Sequence, residues 1–271
     1  MVSVRLAGVT LERAGQTIVR HAHLTLAPGE LVVVTGPRGA GKSLLLAAAA
    51  GLVTPREGSI EVAGRSLGSL RAVSAASAAI RRHIGYLPAD PPFSREESAL
   101  ENVMLALAVR GFPAERASAA AHRALADVGA DGVAKRAVFD LSPSERRLVA
   151  IARALCGPPA IAILDEPTAG LGHGDLERLT GAFANARAAG AALLCASNDG
   201  GFIDALLATG ARQVRLADRT LAGAHGGLRV VADDDTPVTP PGEGPVFERA
   251  HDRDEGATNL DLPVHPARGA S

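Results

Sequence analysis

Apolar and polar positions change their period several times along the chain. Leu31-Val32-Val33-Val34-Thr35 is a short unbroken apolar run, the pattern of a strand buried on both faces. Gly36 to Gly41 break that run. Residues 43–51 are then rich in Leu and Ala, predicting a helix with Gly51 at its C-terminal cap. Ala160-Ile161-Ala162-Ile163-Leu164 and Ala191-Ala192-Leu193-Leu194-Cys195-Ala196 are two further buried runs, and Gln213-Val214-Arg215-Leu216 is a weaker fourth. Strands separated by helical stretches predict an α/β fold, with a mainly parallel sheet covered by helices on both sides. Residues 2–30 and 57–64 hold shorter runs with turn signals such as Ala27-Pro28-Gly29-Glu30, and predict an N-terminal antiparallel β subdomain. Residues 97–140 are almost all helix formers, broken at Gly111-Phe112-Pro113, and predict an inserted helical lobe over about 91–140.

The pattern lapses after residue 232. Residues 233–271 carry nine acidic residues against three arginines, a net charge of −6, and their Pro/Gly-rich stretch at 236–245 has no period that could bury a face. They are expected to be a disordered acidic tail on a folded domain spanning 1–232. The whole chain has a net charge of −1, which leaves +5 on residues 1–232 and gives no reason to invoke nucleic acid as a partner. The longest stretch without a charged side chain is the thirteen residues Ser43–Pro55, short of the roughly 20 apolar residues of a membrane span. Cys156 and Cys195 form no metal-ligand spacing, and a reduced cytosolic setting is expected. Arginine supplies 26 of the 28 basic residues, so a lysine at 42 stands out.

Lys42 belongs to Gly36-Pro37-Arg38-Gly39-Ala40-Gly41-Lys42-Ser43, a GxxxxGK[ST] string that follows an apolar strand and opens a helix. The glycines let successive backbone N–H groups turn inward on phosphate oxygens, and the next helix adds its positive dipole end. Lys42 would reach the β- and γ-phosphates of ATP, and the Ser43 hydroxyl would be a ligand of Mg2+. The core is thus expected to be a P-loop NTPase. Such a loop needs a carboxylate at the end of a neighbouring strand. Asp165 closes the second apolar run and would serve the metal; Glu166 follows at once and would polarise the attacking water.

With these residues in place the chain resembles the ATP-binding cassette (ABC) family, the nucleotide-binding subunits of ABC transporters, over about residues 4–222. Four blocks carry the resemblance: Gly36–Ser43; Ala99-Leu100-Glu101-Asn102-Val103; Leu141-Ser142-Pro143-Ser144-Glu145 with Val149-Ala150-Ile151-Ala152-Arg153-Ala154-Leu155; and Leu164-Asp165-Glu166-Pro167-Thr168. Five accessory positions depart from the family. Its signature glycines are Pro143 and Ser144, its strand-ending glutamine is Ala89, its later aspartate is Gly172, its switch histidine is Asn198, and its adenine-stacking aromatic falls at about Arg13.

The resemblance implies a head-to-tail pair of cassettes, homo- or heterodimeric, driving a membrane permease subunit from the cytoplasmic, inner face of the cell membrane. It implies that Ser142 meets the γ-phosphate bound by the opposite subunit. Asn198 would hydrogen-bond the γ-phosphate or Glu166, and Arg13 would lie flat on the adenine. Three readings follow: an ABC-type ATPase subunit with reduced or asymmetric activity; a non-hydrolytic regulatory subunit paired with an active cassette; and a soluble cassette of repair or translation, against which the single cassette counts.

Overall fold

The computed structural model describes residues 3–67, 79–157 and 159–224. The expected tail at 233–271 lies outside the described residues.

Two sheets form the frame. The larger has six strands in the order β10-β9-β3-β8-β7-β6, with β3 spanning Leu31–Thr35, β6 Ile84–Leu87, β7 Ile161–Asp165, β8 Ala192–Ala196, β9 Arg212–Ala217 and β10 Thr220–Ala224. All neighbours are parallel except the β9–β10 hairpin. Every residue of β3, β7 and β8 is buried, as unbroken apolar runs require of central strands covered on both faces. The two-residue side-chain period divides the core. Val33, Ala162, Leu164, Leu193 and Cys195 face one side, while Val32, Val34, Ile161, Ile163 and Leu194 face the other.

The smaller sheet is antiparallel, in the order β2-β1-β4-β5, with β1 spanning Val4–Arg13, β2 Gln16–Leu26, β4 Glu57–Val62 and β5 Arg65–Ser66. Its apolar face shares a core with helix α1, Lys42–Ala49. This helix ends as expected at Gly51. With φ 71 there, the Gly51 amide donates to Ala48 O and the Leu52 amide to Ala47 O, both at 2.9 Å, which satisfies two orphan carbonyls.

The opposite face of the large sheet carries α2 (Ala99–Val109), α3 (Ala114–Asp127), α4 (Pro143–Leu155), α5 (His173–Ala188) and α6 (Gly200–Ala208). A capping box starts α2: the Ser98 hydroxyl accepts from the Glu101 amide at 3.2 Å, and the Glu101 carboxylate accepts from the Ser98 amide at 2.8 Å. The helical stretch expected to run to residue 140 stops earlier. Gly129, at φ 76, ends α3, and short 3-10 turns at Asp131–Val133 and Val138–Asp140 follow. Helix α4 packs against α2 and α3 and also under β6 and β7, so it joins the lobe to the sheet. No helix among the described residues is long and apolar enough to cross a membrane.

Candidate nucleotide site

The loop after β3 is shaped by two close approaches. A Cβ on Gly36, whose φ is 145, would meet Leu216 O of β9 at 2.0 Å, and a Cβ on Gly41, at φ 101, would meet Ile18 Cγ2 at 2.7 Å. Only glycine fits either place. Helix α1 begins at Lys42 with no side chain capping it, so its first amides are left for a ligand. Lys42 is only 6% exposed. Its Nζ donates to Gly36 O at 2.9 Å and Pro37 O at 3.2 Å, folding the side chain back across the loop.

Asp165 ends β7 beside this loop and is 1% exposed. Burial pushes its carboxyl above the ordinary carboxylate range, while a hydrogen bond with Ser43 and the charges of Arg147 and Lys42 pull it back. One of its oxygens, Oδ1, is buried with no hydrogen-bond partner among the described residues. An orphaned carboxylate oxygen beside a serine hydroxyl fits a hard cation that takes few protein ligands and fills the rest of its shell with phosphate oxygens and water. These residues therefore fit Mg2+.

Glu166 follows in the left-handed region, at φ 45. Its amide donates to Ala196 O at 2.8 Å. Its carboxylate accepts from the Asn198 amide at 3.2 Å and from Asn198 Nδ2 at 3.1 Å. Asn198 follows β8, so the parallel pairing of β7 with β8 brings the two residues together.

A cleft of about 690 Å³ opens between these loops, lined by Arg13, Arg38, Lys42, Ser43, Glu166 and Asn198 among others. Arg13 reaches it from the end of β1, where it pairs with Gln16 across the Ala14-Gly15 turn. Ser142 is not among the cleft's lining residues. It caps α4, with its hydroxyl accepting from the Glu145 amide at 3.2 Å and Glu145 accepting from the Ser142 amide at 2.7 Å. Pro143 occupies the first helical position, where it supplies no N–H. Ala89 and Asp90 line a different groove with Pro143. One buried residue behind the site carries no signal in the sequence: Arg147, 4% exposed, whose guanidinium lies beneath Asp165 and Glu166.

The sequence pattern of the ABC transporter family matches residues 19–169, more than half of the chain. The chain belongs to the ABC transporter family. Among ABC relatives, the lipoprotein-releasing system ATP-binding protein LolD of Chromohalobacter salexigens is 39% identical over 156 residues, covering 57% of this chain and 65% of that protein. LolD of Maricaulis maris is 38% identical over 183 residues, covering 67% of this chain and 80% of its own length. The cobalamin import ATP-binding protein BtuD of Halobacterium salinarum is 37% identical over 172 residues, of which this chain spans 42% of the whole. The chain thus spans just under two thirds of the first of these proteins and under half of the last. An ATP-binding cassette solved as a dimer in a post-hydrolysis state with ADP and Pi has the same fold. It gives a TM-score of 0.71 at 24% identity, over 83% of this chain and 100% of that one.

Proposed function

We propose that this chain is the ATP-binding subunit of an ABC transporter, hydrolysing MgATP as one half of a head-to-tail pair of cassettes and driving a separate membrane permease. The observation that carries this reading is the Glu166 carboxylate, held by Asn198 in the same cleft as the phosphate loop. The reaction is attack of water on the γ-phosphorus with loss of ADP. Glu166 would accept a hydrogen bond from that water and take its proton. Lys42, freed from Gly36 O and Pro37 O, would neutralise the β- and γ-phosphates, and the loop amides from Gly39 to Ser43 would hold them in line. Ser43 and Asp165 would hold Mg2+, which when bound supplies charge neutralisation across the β- and γ-oxygens. Arg13 would lie on the adenine. The relatives named as ATP-binding proteins of transport systems, and the cassette solved as a dimer, support a permease and a second cassette as partners.

A second reading, a non-hydrolytic regulatory cassette, is favoured by Pro143. In a head-to-tail pair, Ser142-Pro143-Ser144 would face the partner's γ-phosphate with one N–H donor fewer. In a homodimer this defect and Asn198 would fall on one γ-phosphate; with a different partner cassette they separate. Steady-state ATPase rates of the chain alone, and with a second cassette and permease, decide between the readings. Turnover with the partners that falls when Glu166→Gln is made in this chain supports the first. Turnover with the partners that Glu166→Gln in this chain leaves unchanged, with MgATP still bound to this chain, supports the second.

A further inference from the structure

Arg147 sits in the middle of α4, on the side of that helix that meets the sheet, and its guanidinium is almost sealed from solvent. A guanidinium carries five N–H donors in a rigid plane. In this protein all five end on backbone carbonyls of two loops. Nε donates to Pro167 O at 3.4 Å. One terminal nitrogen donates to Pro88 O at 3.3 Å and Ala89 O at 2.9 Å. The other donates to Asp165 O at 2.6 Å and to Glu166 O. No carboxylate is needed to satisfy it, and no donor is left for a ligand.

The placement of these five carbonyls matters more than their number. Three belong to consecutive residues 165, 166 and 167, so the peptide planes on either side of Glu166 are both fixed. Glu166 is held at φ 45, in the left-handed region that is strained for a residue with a Cβ. Its amide is tied to Ala196 O and its carboxylate to Asn198, so Arg147 supplies the restraint that those bonds leave open. The other two carbonyls belong to the exit of β6, which borders the groove of Asp90 and Pro143 rather than the nucleotide cleft. We infer that Arg147 is a positioning residue for hydrolysis. Its planar fork ties the exit of β6 to the peptide planes flanking Glu166 and so fixes the direction of the Glu166 carboxylate. This role rests on the hydrolytic reading given above.

A lysine in this place keeps the charge but not the fork, and a glutamine keeps two donors on a shorter stem. In Arg147→Lys and Arg147→Gln, kcat for MgATP should fall at least about tenfold. The Kd for ATP in magnesium-free buffer, by calorimetry, should stay within about twofold, because that measurement leaves out the metal that Asp165 would hold, and Lys42 of the phosphate loop bonds Gly36 O and Pro37 O rather than these carbonyls. Folded variants that keep kcat within twofold of wild type would overturn the proposal, as would loss of kcat and affinity by the same factor. Should neither variant fold, nuclear magnetic resonance of 15N-arginine-labelled wild-type protein decides the matter. Resolved, slowly exchanging Arg147 Nη protons support the clamp; a single averaged signal that exchanges rapidly with water overturns it. Wild-type turnover is measured first. A wild type that binds MgATP without hydrolysing it removes the hydrolytic reading, and the clamp then stands or falls on the Nη signals alone.

Discussion

Asn198 donates to Glu166 twice, from its side chain at 3.1 Å and from its backbone at 3.2 Å. The pair fixes both carboxylate oxygens without placing a positive charge beside them, and this sets the first expectation. Asn198→Ala removes the side-chain donor and keeps the backbone one. Its kcat should fall by about tenfold, or ~1.4 kcal/mol, with the Kd for MgATP little changed. Asn198→His adds a chargeable donor at the same place and should raise kcat. Steady-state ATPase rates paired with calorimetry check both, and an unchanged rate in the alanine variant would break the link to Glu166.

Lys42 is the cation at the base of the phosphate loop, and its environment leaves little room. Lys42→Ala should abolish MgATP binding measurable by calorimetry while leaving the far-ultraviolet circular dichroism unchanged. Lys42→Arg should fail nearly as badly, because a guanidinium fork does not fit a buried site built around a single ammonium. Undiminished binding in the alanine variant would remove the basis for placing nucleotide in this cleft.

Base selectivity should be poor. Arg13 flanks the tight Ala14-Gly15 turn, and no aromatic residue precedes Tyr86 in the chain. Stacking on an aromatic is worth roughly 1–3 kcal/mol per base, and a lone exposed guanidinium reads no base edge. The affinities for ATP and GTP should agree within about tenfold, or 1.4 kcal/mol. A hundredfold preference for ATP in competition binding would show that another element reads the adenine.

Asp165 gives a pH dependence with a definite sign. Burial raises its folded pKa above the unfolded value. The stability it contributes is fully present below the ordinary carboxylate pKa of about 4 and is lost as pH rises through the raised value. In magnesium-free buffer, Asp165→Asn should therefore melt close to wild type near pH 4 and above it at pH 7. The gap should be about 2–4 °C for each kcal/mol of relieved charge burial. Added Mg2+ and ATP should reverse the order, since ligand binding stabilises only the variant that holds it. A constant gap across the range would show that the Asp165 carboxyl is not the group that titrates.

The sequence was most readable where one pattern has one physical cause. Strands β3, β7 and β8 are unbroken apolar runs because both their faces are covered, and the phosphate loop shows its glycines because Gly36, Gly39 and Gly41 all lie at positive φ, with the Leu216 backbone crowding Gly36 as well. The meeting of Glu166 with Asn198 was legible only through the family resemblance, which offered the γ-phosphate as the other partner; the parallel pairing of β7 with β8 is its physical cause. Strand β10 could not be found in this way. Its hairpin turns through Asp218 and Arg219, both left-handed at φ 49 and 66, with no glycine or asparagine to announce the turn. Arg147 was hidden for another reason. It is one of 26 arginines, and its partners are backbone carbonyls, which leave no trace in side-chain identity. The groove that Ala89 and Asp90 share with Pro143 illustrates the same limit, since only the folded chain brings these residues together.

Both strands that flank β3 come from far along the chain. β8 pairs with it through Leu193–Ala196 and β9 through Arg212–Arg215. The loop that follows β3 also rests its first glycine on the carbonyl of Leu216. A chain made only as far as residue 191 therefore carries the whole phosphate-binding string without the surface that shapes it, and β3 has open edges on both sides; the β9 edge stays open until residue 212 is made. ATP cannot help such a nascent chain to fold, because its pocket still lacks the Leu216 carbonyl that the loop rests on. The open edge is exposed to mispairing during that interval, and the sheet closes only when the β9–β10 hairpin arrives.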